Sequence, residues 1–182
     1  MRIAARGLSL AAPIAILFLL ATGAEAADGA ASYQYLIGTG FLCDIDPSFC
    51  PEVTMAANGD LIVITGEGTL SVHPNSATGS GTFTHKDSGG NVLGSGTWTA
   101  TQLLSFKDFG AGPGFPEGFT GGHAVIGVHL SPSEGGDGVD GILIVDCNLG
   151  TSPPGLEEGV RLALTGINFN EKVSGNNIFI RQ

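Results

Sequence analysis

The sequence predicts an all-β protein, an antiparallel up-and-down meander of about nine strands closing into a small barrel, with a β-sandwich as the competing arrangement. Composition, periodicity and a repeat carry this. Glycine is abundant (30 of 182 residues), charged residues make up only 13%, and no helical period runs through the chain after its N-terminus. The glycines keep no strict period, which excludes a collagen-like chain and leaves a fold with many tight turns. Most telling, one short pattern recurs three times: GEGTLSV at 66–72, GSGTFTH at 79–85 and GSGTWTA at 94–100.

In an extended strand alternate residues share a face. One face of the three copies carries Gly66, Gly68, Leu70 and Val72, then Gly79, Gly81, Phe83 and His85, then Gly94, Gly96, Trp98 and Ala100. The opposite face is rich in Ser and Thr and belongs in water. The glycine-aromatic face must therefore look inward. A hairpin centred on Gly89-Gly90 pairs His85 with Gly94, Phe83 with Gly96 and Gly81 with Trp98. A preceding hairpin centred on Asn75-Ser76 would pair Gly66 with His85 and Gly68 with Phe83. Bare backbone beside large rings lets a sheet coil tightly, and this favours the barrel over the sandwich.

From the N-terminus, Arg2 and Arg6, an apolar run over 8–21 and Ala24-Glu25-Ala26 form a Sec-type signal peptide over 1–26, leaving 27–182 as a single all-β domain in a secreted or periplasmic protein. A retained anchor is the alternative, although the run is short for a bilayer span. No later apolar run is long enough to span a membrane as a helix, so no integral span is expected in the mature chain. The first strand is expected over 33–42, and 43–51 is a loop. Of three cysteines, Cys43 and Cys50 bracket that loop and are expected to form a disulfide; a bridge from either to Cys147 is the other possibility. Strands at 53–57 and 60–72 flank Asn58-Gly59, which sets Met55 against Ile62 and Val53 against Ile64.

The third repeat continues to Phe106. Residues 110–122 (GAGPGFPEGFTGG) are too rich in Gly and Pro for regular structure and form a long loop presenting phenylalanines. Strands follow at 123–130 and 142–147, separated by an acidic turn. Residues 160–169 and 177–180 are expected to close the domain as a hairpin.

The formal net charge of −10 repels phosphate backbones, so nucleic acid is excluded as a natural partner. His85, a titratable ring on the inner face beside missing side chains, is the best candidate for ligand contact, with Phe83 and Trp98 as apolar walls. Against this stands the simpler reading, a histidine at a barrel mouth bonded to backbone or water above an ordinary aromatic core. His123 and His129 lie six apart on one strand, roughly 20 Å, too far to share a metal. Asp44 with Asp46, and Glu134 with Asp137 and Asp140, are acidic turns that lack the EF-hand spacing calcium favours. No zinc spacing, nucleophile elbow, P-loop or dinucleotide fingerprint occurs, so no metal or cofactor is expected. The expected role is binding, of a small apolar molecule or of another protein through the 110–122 loop. The competing reading is a cofactor-free isomerase or cyclase with His85 as general base.

Overall fold

In a computed structural model describing residues 31–182, ten strands form one continuous antiparallel sheet. Residues 1–26, expected to be a signal peptide, lie outside the described residues. The strands are β1 (Ser32–Ile37), β2 (Glu52–Ala56), β3 (Leu61–Val72), β4 (Asn75–Lys86), β5 (Val92–Ala111), β6 (Phe119–Pro132), β7 (Val139–Cys147), β8 (Gly159–Leu164), β9 (Ile167–Ser174) and β10 (Asn177–Arg181). A short helix α1 (Phe41–Ile45) and one 3-10 turn interrupt the segment between β1 and β2.

From β2 to β9 each strand pairs with the next, and β9 returns to β2, which makes the up-and-down barrel the sequence predicts. β1 and β10 stand outside that succession. They pair with each other; β1 also lies against Gly66–Ser71 of β3, beyond the reach of β2, and β10 against Phe119 and Thr120 at the start of β6. The long strands β3 to β6 are thus closed twice, by β2 and β7–β9 at one end and by the β1–β10 ribbon at the other.

The inner face is the one expected. Phe83 and Trp98 are buried, whereas Thr82 and Thr97 are exposed. The repeat glycines make room for rings. A Cβ on Gly66 would lie 2.3 Å from Trp98 and one on Gly81 2.6 Å from its indole nitrogen. The Tyr35 hydroxyl lies over Gly68 and Gly79 in the same way. Each ring closes its polar requirement on nearby backbone: Trp98 Nε1–H donates to the Thr65 carbonyl at 2.9 Å and Tyr35 to that of Thr78 at 3.0 Å. At about 25 cal/mol per Å² of apolar surface, a buried indole contributes on the order of 4 kcal/mol. Around these rings Ile62, Ile64, Leu70, Ile126, Leu143, Leu162, Phe169 and Phe179 complete the core.

The first strand, expected over 33–42, ends at Ile37 and gives way to α1, and four further expectations require correction here. The β3–β4 turn is His73-Pro74, four residues tighter than a hairpin centred on Asn75-Ser76, so His85 pairs with Ile62 and Gly66 with Gly81. The shift is even, so every face is kept. It sets the glycines of copies one and two against each other, which clears the flat patches on which Trp98 and Tyr35 rest. The β2–β3 connection spans three residues, with Gly59 at φ 86° and Ala56 N–H donating to the Asp60 carbonyl. That shift is odd: Thr54 faces Ile62, Met55 faces Leu61, and Glu52 and Thr54 turn inward in place of Val53 and Met55. The segment 160–169 contains two strands joined at Gly166, whose φ of 90° permits the tight turn. β10 pairs with β1 and β6, with no ladder to β9, so the expected closing hairpin is replaced by the terminal ribbon.

Candidate functional site at the barrel mouth

The end of the barrel remote from the β1–β10 ribbon opens into a cavity of about 310 Å³. Its apolar walls include Ile62, Phe83, Leu130, Val139, Leu164 and Phe169, one from each of six neighbouring strands. His85 stands in this wall near the end of β4. Its cross-strand partner Gly94 has open space where a side chain would be: no atom lies within 4 Å of a Cβ built there. The other inner glycines of the repeats have no such freedom. Leu93 and Glu134 lie at the rim.

Two contacts hold the His85 ring. Its Nε2 lies 3.2 Å from Asp60 Oδ2, and its edge meets the Phe169 ring at a centroid distance of 5.3 Å. Asp60 follows the Gly59 turn and is brought alongside by the β3–β4 pairing. Its side chain is 16% exposed and that of His85 27%, so the pair is sheltered but open to a solute. In the tautomer that carries its proton on Nε2, the ring donates to Asp60 and keeps the Nδ1 lone pair, an acceptor for a ligand's donor. Phe83 and His85 line the same cavity. Trp98 is placed one layer deeper, 1% exposed and packed on Gly66 and Gly81. Asp60 was not legible as a partner, because the sequence gives no reason to place a turn residue beside His85 until the β3–β4 register is known.

The opposite end carries a different arrangement. Cys43 and Cys50 form a disulfide, which resolves the connectivity. The bridged segment docks on the β9–β10 turn through Asn176 N–H to the Phe49 carbonyl. The loop between β5 and β6 is confined to 112–118, since β5 and β6 extend into the expected 110–122 loop from both sides. Phe115 and Phe119 from this region face Phe41, Ile45 and Phe49 of the bridged segment across a groove of about 450 Å³.

Beneath lies a polar cluster that the sequence reading did not find, because it depends on the odd shift of β2. Glu52 is fully buried, and neither of its carboxyl oxygens has a hydrogen-bond partner. Burial pushes its pKa up to about 8; the Lys172 charge draws it down, while Glu158 adds to the rise. Glu158 is raised as well, chiefly by burial, although its carboxylate accepts the backbone N–H groups of Asn148 and Asn177. Cys147, the free thiol, is buried here, and desolvation pushes it up to about 12, so it stays neutral.

The remaining candidates lie apart. His123 is on the outer face, where the β6–β7 register gives it Asp146, 2.6 Å from Nδ1, which Arg161 also binds. His129 meets Asp140 at 2.7 Å in the same way, one of the three acids of the 134–140 turn. Asp46 accepts from Ser48 N–H and caps the 3-10 turn. Among the described residues no group of three or more His, Cys, Asp or Glu is placed to hold a metal ion, and no helix is long and apolar enough to cross a membrane, a statement that does not bear on strands.

Comparison of the chain with family models, curated proteins and solved structures returns no match.

Proposed function

We propose that this is an exported β-barrel that binds a small, mainly apolar molecule in the mouth beside Phe83 and His85. The observation that carries the reading is the open space at Gly94. It leaves a hollow lined by apolar side chains and touched by one polar ring, and sites for small ligands commonly combine these two features. The apolar walls supply the burial, and the His85–Asp60 pair fixes the orientation of a ligand hydroxyl or carbonyl. Trp98 lies outside the cavity lining, packed on Gly66 and Gly81. Export is supported by the signal-like residues 1–26 and by the disulfide, which persists in oxidising compartments.

The test uses 1-naphthol, an apolar body with one hydroxyl, titrated against the single tryptophan's fluorescence. Saturable binding at one site is expected. It should be lost in Gly94→Leu, which fills the hollow, and weakened about tenfold in His85→Ala, as loss of one oriented hydrogen bond implies. Binding that survives both substitutions overturns the reading. N-terminal sequencing of secreted material should begin at Ala27.

A second reading, acid–base catalysis with His85 as base, is favoured by the Asp60 carboxylate that orients the ring. Recovery of ligand from long incubations separates the two: a binding protein returns it unchanged, an isomerase or cyclase returns a rearranged product.

A further inference from the structure

We propose that the groove between the disulfide-bridged segment and the 112–118 loop is a second site, one that takes an apolar organic ammonium. The walls are aromatic: Phe41 and Phe119 meet edge to face at 5.6 Å, with Phe49 and Phe115 alongside. Phe115 and Ile45 are 51% and 65% exposed, so the groove opens to solvent between two bare apolar side chains. Aromatic faces attract alkylammonium ions through the negative face of the ring.

The floor supplies complementary hydrogen-bond acceptors. Glu158 lines the groove, and Glu52 is buried behind it. Among the described residues the ammonium acting on these two carboxyls is that of Lys172, and its Nζ donates to the Gly175 carbonyl and to Asn176 Oδ1. Asn177 also lines the groove. It is 3% exposed, its Nδ2 donates to the Asp146 carbonyl, and its Oδ1 has no partner. The side-chain oxygens at the floor, those of Glu158 and Asn177, are acceptors. A group buried against them must bring N–H donors, and a positive charge offsets the desolvation that Glu158 otherwise bears. A primary or secondary ammonium on an alkyl or aryl body has both properties. A carboxylate has neither, and an alcohol brings one donor without the charge.

The experiment compares octylamine, octanol and octanoate, each below its micellar range, by calorimetry on the mature protein. It is run on wild type and on Gly94→Leu, in which the mouth cavity is closed, so this site is read independently of the first. Octylamine should bind both proteins equally, at least about tenfold more tightly than octanol, with octanoate weakest. Amide chemical shifts should move at Phe115, Phe119 and Asn177. Glu158→Gln should weaken octylamine about tenfold or more and leave octanol unchanged. Phe115→Ala, at an exposed loop position that does not support the fold, should weaken it about threefold. Should Glu158→Gln fail to fold, the Phe115 variant and the ligand series decide. Equal affinity for amine and alcohol, no detectable binding of octylamine, binding lost in Gly94→Leu, or shifts confined to residues near His85 would each overturn the proposal.

Discussion

Gly81→Ala and Gly94→Ala add the same methyl group to the same face of adjacent strands and should have opposite effects. At Gly81 the new carbon would lie 1.8 Å from the Thr65 carbonyl oxygen, 2.6 Å from the Gly66 Cα and 2.6 Å from Trp98 Nε1. Two of these three atoms are backbone and the third belongs to a ring wedged in the core, so nothing yields cheaply. Relief requires β3 and β4 to part or Trp98 to lift, which breaks the 2.9 Å bond from its indole to Thr65. Overpacking costs about 1–3 kcal/mol and an orphaned buried donor about 1–3, together about 2–6 with a midpoint near 4. At Gly94 no atom lies within 4 Å and the backbone is not left-handed, so alanine fits. There the stiffer unfolded chain makes the substitution stabilising by about 0.5 kcal/mol. The gap of roughly 4 kcal/mol corresponds to about 8–15 °C in Tm for a domain of this size. Urea unfolding followed by the fluorescence of the single tryptophan measures it. Two variants within about 1 kcal/mol of each other would refute the argument that bare backbone under Trp98 organises the barrel.

Three further outcomes follow from the other end of the molecule. Glu52 has a folded pKa near 8, above its unfolded value of 4.5, so the folded state holds the extra proton between these limits. Stability from this group is complete below about pH 4.5 and is lost as pH rises through 8, at about 1 kcal/mol per pH unit; Glu52→Gln should abolish that slope and be the more stable protein at pH 8, and a Tm–pH profile parallel to wild type would contradict this. The Cys43–Cys50 bridge closes a loop of sequence separation 7, so replacing both cysteines by serine should cost about 2.5 kcal/mol, read as a fall in the urea midpoint at unchanged slope. Cys147, buried and neutral, should be silent to a thiol reagent in the native protein and titrate as one thiol in denaturant; a thiol that reacts before unfolding would show the core open at that point.

The barrel was legible because strand parity depends on local chemistry. Polar residues, mostly Ser and Thr, alternate with glycine and large apolar residues in all three repeats, so any even error of register leaves the faces intact, as the four-residue error at β3–β4 did. What failed was set by a turn one residue longer than expected. Asn58-Gly59 signals a hairpin but does not say whether the loop holds two residues or three. The third residue turned Glu52 and Thr54 inward, and with them the polar cluster beneath the groove. His85 and Phe83 were found at one cavity because the His85–Gly94 pairing depends on one well-marked turn. The Asp60 partner and the His123–Asp146 pair were not, because each depends on a cross-strand neighbour rather than on its own strand. β10 was misassigned for a similar reason: its sequence calls for an extended partner but does not identify β1, far away in the chain.

That last pairing has a kinetic consequence. The seven contacts from β2 to β9 join strands that follow one another, and such hairpins can assemble in any order from nearby segments. The β1–β10 ribbon joins the outermost strands of the described chain, with Gln182 N–H reaching the Ser32 carbonyl. It must wait for a long loop to close. A folding intermediate with the meander formed and the ribbon unzipped would therefore leave Tyr35 off its glycines while Trp98 is already seated. In pulse-labelled hydrogen exchange the amides of β1 and β10 would then be the last to gain protection.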